Sequence, residues 1–309
     1  MYRTESIAIL LATYNGENYI KEQIESILAQ TEKDWRLYIH DDGSKDKTME
    51  VVMQYVKQYP DQIMVVDGVP TGGAKSNFFY LFHQVEAPFY MCCDQDDVWL
   101  PEKIEITKRE MDNLIRDDED KPALVFTELC VVDGNLEVIA ENMRDYQGLD
   151  CKNVRLNRAL IQNVVTGCTM MVNRRLRDEM VKITAYEDVL MHDWWATLVA
   201  VRFGKVAFVE TPTILYRQHG NNGVGASNAN SLVYQMKRML QGEEIKQSLV
   251  NTRKQAKVFA DLYKENTDSL IRKYADLGNF NKLKRLQFYK KYDVKKSTRA
   301  KNIGLMIWG

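Results

Sequence analysis

Short apolar runs alternate with helically spaced apolar positions along the first hundred or so residues. Ile7-Ala8-Ile9-Leu10-Leu11-Ala12 is nearly continuous, the pattern of a strand buried on both faces. It stops at the turn signal Thr13-Tyr14-Asn15-Gly16, after which Tyr19, Ile20, Ile24, Ile27 and Leu28 mark one face of a helix. Trp35, Leu37 and Ile39 alternate as a second strand that ends at Asp41-Asp42-Gly43-Ser44. Helical spacing resumes over 47–59, a third strand is predicted at 63–66, and Thr71-Gly72-Gly73 leads into a helix over 75–86. A fourth strand is predicted at 89–93 and a further helix at 102–116. Strands alternating with helices predict an α/β fold: a doubly wound, mostly parallel, Rossmann-like sheet.

The middle of the chain is less regular. Residues 123–132 read as a long strand, 164–172 as another broken by Gly167, 194–203 as a buried helix, and 206–209 and 213–216 as short strands. A Gly/Asn-rich loop follows, Arg217-Gln218-His219-Gly220-Asn221-Asn222-Gly223-Val224-Gly225. Beyond it the pattern is helical to the end. We therefore expect one domain over 1–227 and a C-terminal helical, basic region over 228–309.

The chemistry concentrates where strands end. Residues 90–101 read Tyr-Met-Cys-Cys-Asp-Gln-Asp-Asp-Val-Trp-Leu-Pro, so Asp94, Asp96 and Asp97 fall just past a buried strand. Burying such carboxylates unpaired costs several kcal/mol, and a hard divalent cation, Mg2+ or Mn2+, is one compensation. The other reading is a solvated acidic turn that caps the helix starting near Pro101. In doubly wound sheets, ligands bind outside the carboxyl ends of the strands. Here those ends deliver Thr13-Tyr14-Asn15, Asp41-Asp42, Gly72-Gly73 and the acid cluster to one crevice, which points to a nucleotide. Neither GxGxxG nor GxxxxGK[ST] occurs, so neither a dinucleotide fingerprint nor a P-loop is indicated.

Composition narrows this further. At 309 residues, with 45% hydrophobic and 28% charged positions, the chain is ordinary for a globular protein. No apolar run reaches membrane-spanning length, and the first residues lack a signal-peptide pattern. Five cysteines without a CxxC pair suggest reduced thiols in the cytoplasm. A net charge of −1 hides an asymmetry, because residues 272–302 hold eleven Lys/Arg against Asp276 and Asp293. That basic tail, interleaved with aromatics and closed by Ile303, Leu305, Met306, Ile307 and Trp308, suits an anionic membrane surface. It could instead pack on the acidic body or on a second subunit as a homo-oligomer. No nucleic-acid reading motif accompanies the charge, so nucleic acid is not an expected partner.

Taken in order, these motifs resemble glycosyltransferase family 2, with its GT-A fold. The residues that carry the resemblance are Ala12-Thr13-Tyr14-Asn15-Gly16, Asp41-Asp42-Gly43-Ser44, Asp94-Gln95-Asp96-Asp97, His192-Asp193-Trp194-Trp195 and the stretch from Leu215 through His219 to Gly225. The last three groups are most similar to bacterial rhamnosyltransferases of cell-wall or capsular polysaccharide synthesis. The resemblance implies an inverting, metal-dependent transfer from a nucleoside-diphosphate sugar, dTDP-rhamnose foremost, to a glycan or lipid-linked glycan at the inner face of the cell membrane. It implies that Thr13 and Tyr14, with Asn15, flank the nucleobase, and that Asp42 accepts from a pyrimidine N3–H. Asp96 would be the principal metal ligand, with Asp94 on the ribose or the metal's water. His219 would complete the metal site, and Asp193 would be the catalytic base, with Asp188 as runner-up. Thr166, Gly167, Trp194 and Trp195 would face the sugars.

Several of these positions have plainer readings. One of Asp41 and Asp42 should serve an Asx-turn, and one of the two tryptophans should be core. Asp193 would stabilise a helix N-terminus without any catalysis. Lys75 and Asn77, at a helix start beside Gly72-Gly73, could meet the diphosphate, as could Arg217, which could equally be a surface charge. A UDP-sugar transferase, a nucleotidyltransferase and a non-catalytic sugar-nucleotide-binding subunit are the competing functions. The second would be expected to carry a Gly-rich basic loop near the amino terminus, and only Asn15-Gly16 stands there. The intact acid set argues against the third.

Overall fold

The computed structural model describes residues 6–219, 242–266 and 268–309. The described residues form a nine-stranded sheet with helices on both faces. The strands are β1 (Ile7–Thr13), β2 (Trp35–Asp41), β3 (Ile63–Val65), β4 (Phe89–Asp94), β5 (Val98–Trp99), β6 (Ala123–Val132), β7 (Val138–Ala140), β8 (Met170–Asn173) and β9 (Lys205–Arg217). Their order is β3-β2-β1-β4-β8-β6-β9-β5, with β7 on β6. The β3-β2-β1-β4 half is parallel, and β8 runs antiparallel to both β4 and β6. The sheet is the expected doubly wound type. Its order reverses between β1 and β4, which is the switch point where a crevice opens.

The two-residue period of β1 divides the core. Ala8 and Leu10 face Phe78, Phe82 and Trp195 on one side, while Ile7, Ile9 and Leu11 face Ile24, Ile27 and Met91 on the other. In the middle of the chain the structure departs from expectation. Residues 164–169 are not a strand, because Thr169 turns back to bond the Thr166 carbonyl through both its N–H and Oγ1. A 3-10 turn, Gly167–Thr169, results, and β8 begins only at Met170. The two short strands predicted at 206–209 and 213–216 are one strand, whose register against β6 shifts near Pro212, a residue that cannot donate to the ladder.

Four C-terminal helices, Gly242–Leu262, Ser269–Ala275, Lys282–Lys291 and Arg299–Trp308, pack onto the sheet's helices. Phe259 stands edge-on to Trp195, the Gln255 side chain accepts from Leu190 N, and Tyr263 Oη donates to Glu179 O. Much of the apolar tail therefore turns inward. Tyr289 and Leu305 are buried, Leu286, Phe288 and Tyr292 pack against the same core, and Trp308 lies against Gly242. Phe280, Leu283, Ile303, Met306 and Ile307 stay exposed. The expected boundary at 227 falls outside the described residues. No helix among the described residues is long and apolar enough to cross a membrane.

Because Phe259 joins the tail to the sheet's core, Phe259→Ala should cost ~3–5 kcal/mol in one cooperative urea transition. Separate unfolding of the tail, or no change in midpoint, would contradict a shared core.

Candidate active site

A cleft of about 1050 Å³ opens over the carboxyl ends of β1, β2 and β4. The parallel register pairs Thr13 with Asp41 and Ala12 with Asp94, so three loops leave the sheet side by side. Asp41 serves the turn, accepting from the N–H groups of Gly43 (3.0 Å) and Ser44 (2.8 Å). Asp42 is left to line the cleft. Its carboxylate accepts from Thr71 Oγ1 (2.9 Å), from Gly72 N (3.0 Å), from Gly73 N (2.6 Å) and from Thr71 N. Partial burial alone would raise the Asp42 carboxyl, but these bonds hold it below the ordinary range. Gly72 and Gly73 take φ of 86° and 135°, which lets successive N–H groups turn to one anion.

Thr13 and Tyr14 also line the cleft, and the Tyr14 ring is 51% exposed at its mouth. Gln95 fixes them. Its Oε1 accepts from Thr13 Oγ1 (2.6 Å) and Tyr14 N (2.9 Å), and its Nε2 donates to Tyr14 O (2.9 Å). The sequence reading missed this role, although the middle position of an Asp-x-Asp turn must face the neighbouring loop. Asn15 tethers loops instead of lining the cleft: its N–H bonds Ser44 Oγ and its Oδ1 accepts from Lys45 N, each at 2.8 Å.

The acids diverge in environment. Asp94 is half-buried on the cleft wall, and desolvation plus the charges of Asp96 and Asp193 push it up to about 7. Asp97 turns beneath, where one oxygen accepts from Arg217 N (3.1 Å) and the other is buried without a hydrogen-bond partner among the described residues. Burial first, then Asp94 and Asp96, raise it well above the carboxylate range. Asp96 lies 2.8 Å from His219 Nε2, and the His219 ring stacks on Tyr19 at 4.8 Å. Below them, the Lys103 ammonium is buried 4.7 Å from the Trp99 ring centroid, and burial pushes it down to about 8. Oxygen and imidazole donors with one orphaned carboxylate oxygen fit a hard divalent cation. The Asp94, Asp97 and Cys168 ligand atoms also lie within 4.8 Å of one another, yet burial keeps that thiol protonated, so sulfur is the weaker donor.

Asp193 stands in the first turn of the helix His192–Phe203, on the far cleft wall. Burial pushes it up to about 7, against bonds from Trp194 N, Gly167 N and the Asn163 side chain. Thr166, Gly167 and Trp194 line the same wall, and Trp194 Nε1 donates to Ala159 O at 2.6 Å. Trp195 does not face the sugars as expected. One helical step rotates it into the core, where it is fully buried against Phe259 and Tyr263. Asp188 is out of the cleft, paired with Lys254 at 3.6 Å.

Three groups expected at the diphosphate are engaged elsewhere. The Lys75 ammonium donates to the carbonyls of Tyr186 (3.0 Å), Glu187 (3.3 Å) and Val189 (2.7 Å). Asn77 is buried at the cleft edge with both ends of its amide on His40. Arg217 is buried behind the acids, bonding Asp96 O (2.9 Å), Gly134 O (2.6 Å) and Glu22 (2.5 Å). Met143, Gln147 and Leu149 complete the cleft. Met143 and Gln147 come from a short helix, Met143–Gln147, and Leu149 follows it; the helix signals, the Asn142 cap and Gly148 in the left-handed region, are present in the sequence.

The raised acids fix the sign of a pH dependence. The unfolded chain releases these protons near 3.8 and the folded chain releases those of Asp94 and Asp193 near 7, so the folded state holds more protons between these values. Their contribution to stability falls as pH rises through that window. In EDTA, melts from pH 4.5 to 7.5 should show a smaller stability loss for Asp94→Asn than for the parent chain. Equal slopes would refute the burial assigned to Asp94.

Residues 8–119 match the family model of Glycosyl transferase family 2. The chain is 31% identical over 235 residues to the dTDP-rhamnosyl transferase RfbG of Shigella flexneri, covering 70% of this chain and 74% of that one. Among solved structures, it resembles TarS 1–349 of S. aureus in complex with UDP-GlcNAc (TM-score 0.54, 14% identity, 92% of this chain and 78% of that one). It also resembles the Pyrobaculum calidifontis mannosyltransferase PcManGT in complex with GDP-Man and Mn2+ (TM-score 0.50, 14% identity, 96% and 78%). The fold is thus GT-A, and with its strand-end motifs and sequence relatives in agreement, the chain belongs to glycosyltransferase family 2.

Proposed function

We propose that this glycosyltransferase is metal-dependent and inverting, and that it moves L-rhamnose from dTDP-rhamnose to a hydroxyl of a growing cell-surface polysaccharide or its lipid-linked precursor. The observation that carries this reading is one cleft running from Asp42 through Asp94 and Asp96 to Asp193. Asp42, with Thr13 and Tyr14 beside it, accepts the N3–H of the nucleobase, a bond available from thymine and uracil alike. When Asp42 takes that edge, the N–H groups of residues 71–73 that now bond it are released toward the diphosphate. Asp96 and His219, with Asp94 adjacent, hold Mn2+ or Mg2+, which when bound neutralises charge on the departing diphosphate.

Asp193 takes the proton of the acceptor hydroxyl. Its bonds from Trp194 N, Gly167 N and Asn163 fix the carboxylate, and burial keeps it basic near neutrality. A single displacement inverts the anomeric centre, so a β-linked donor gives an α-rhamnoside. Lys75 and Arg217 are placed in supporting roles, on the loop before Asp193 and behind Asp96. The rhamnosyl donor rests on the likeness to RfbG. A UDP-sugar is the second reading, favoured by the thymine–uracil equivalence at Asp42.

For location, we propose the inner face of the cell membrane. Ile303, Met306 and Ile307 share one exposed helix face, Lys282 Nζ donates to Ile307 O, and Leu283 is exposed on the helix Lys282–Lys291. Lys282, Lys284, Lys290 and Lys291 belong to that same helix, and each cation near an anionic surface contributes about 1 kcal/mol.

Asp193→Asn should lower kcat a hundredfold or more while donor affinity holds, and Asp96→Asn should abolish metal-dependent turnover. The kcat of the parent enzyme should rise with pH through about 7 as Asp193 deprotonates. Loss of donor affinity in Asp193→Asn, or near-normal Asp96→Asn turnover, would overturn these roles. A donor panel of dTDP-rhamnose, UDP-GlcNAc and GDP-mannose decides the sugar.

Deleting the tail would remove part of the core, so the membrane reading is tested by Leu283→Glu with Met306→Glu. This pair should lose salt-sensitive co-sedimentation with anionic vesicles and keep its melting temperature. Unchanged co-sedimentation would refute the patch.

A further inference from the structure

His192 opens the helix that carries Asp193, and its imidazole is only 3% exposed. Neither ring nitrogen has a hydrogen-bond partner among the described residues. Burial pushes its pKa down to about 3, so the ring is neutral, with one N–H donor and one acceptor lone pair. Leaving a buried polar group unpaired is destabilising. Packing does not account for the choice of residue. The ring lies on Phe78 with centroids 4.1 Å apart, a contact that phenylalanine would make without that cost.

A second observation concerns Gly167. A Cβ there would stand 2.7 Å from His192 Nε2 and 3.1 Å from Cε1. Any side chain at 167 would therefore collide with the imidazole, so only glycine lets the ring stand there. His192, Gly167, Phe78 and Asp193 all line the cleft. A histidine with two unmet nitrogens thus sits beside the proposed base, packed on a glycine in the cleft wall.

We propose that His192 hydrogen-bonds a sugar hydroxyl at the reacting centre, beside Gly167, and so orients the bond at which Asp193 acts. The inference rests on the transferase reading above. A hydroxyl both donates and accepts, which matches a neutral imidazole in either tautomer. Rotation of the ring about its Cβ–Cγ bond turns a nitrogen from the closed wall into the cleft. The hydroxyl belongs to the donor sugar or to the acceptor, and the two sources separate kinetically.

The test uses the full chain with Mn2+ and compares His192→Phe, His192→Gln and the parent enzyme. Three readouts are taken: the thermal shift given by dTDP or UDP alone, donor hydrolysis with water as acceptor, and transfer to octyl glycosides. His192→Phe keeps the Phe78 contact and should melt no lower than the parent. It should keep the nucleoside-diphosphate shift and lose tenfold or more in kcat/KM for transfer. His192→Gln, whose amide brings a donor and an acceptor to the Nε2 position, should recover part of that loss. Hydrolysis falling in parallel with transfer places the hydroxyl on the donor sugar. Hydrolysis retained while the KM for the glycoside rises places it on the acceptor. Full transfer by His192→Phe, or loss of the nucleoside-diphosphate shift with lowered melting, overturns the proposal and leaves the transferase reading standing. If the parent enzyme neither shifts with dTDP or UDP nor turns over a sugar nucleotide, the transferase reading falls, and this proposal falls with it.

Discussion

The structure is organised around carboxylates buried where the sheet switches order. Asp94, Asp97 and Asp193 are each held in a form that resists ionisation, and so many buried acids would ordinarily be selected against. Their neighbours answer that burden piece by piece. The Arg217 amide bonds Asp97, the Arg217 side chain braces the Asp96 carbonyl, and His219 closes on Asp96 from a ring stacked on Tyr19. Buried Lys103 adds a fixed positive charge below. Asp94 and Asp193 line the cleft, while the second Asp97 oxygen stays buried beneath it.

The parallel half of the fold was legible because its central strands β1 and β4 are covered on both faces. Continuous apolar runs at β1 and β4, and turn residues at their carboxyl ends, leave little ambiguity. Residues 140–170 were less legible for a physical reason. Their helices, Met143–Gln147 and Leu156–Ala159, are too short to show a period; the first is set by the Asn142 cap and lines the cleft, and the second has no side-chain cap. The turn at Gly167 looks apolar enough for a strand, but Thr169 bonds back to Thr166 and ends that option.

Sequence position foretells which side chains line the cleft better where the side chain is short than where it is long. Asp42, Asp94, Asp96 and Asp193 can reach little beyond their own loops, so a strand-end position nearly fixes where the carboxylate lies. Lys75 and Arg217 have long side chains whose end groups reach carbonyls of other segments. Trp194 and Trp195 show the helical version of the same limit, since adjacent residues point about 100° apart and only one can face the cleft. The basic tail misled in another way. Its aromatics alternate with cations as an interfacial helix would, but Tyr289 and Leu305 complete the core, and only a smaller patch is left for any outside partner.

The long side chains that left the diphosphate do something more useful to the architecture. The helix Ala74–Gln84 begins at Gly73, whose N–H now bonds Asp42, and Lys75 in its first turn ties down the carbonyls of residues 186–189. Phe78, one turn on, carries the His192 ring, and Phe79 stacks on Tyr186 at 4.8 Å. One helix therefore touches the proposed nucleobase residue at its start and the base-bearing segment along its side. Packed elements of this kind respond as units because their interiors are not continuously deformable. The loop that bonds Asp42 and the segment that carries Asp193 thus rest on the same helix, which none of the strand-end motifs reveals when read alone.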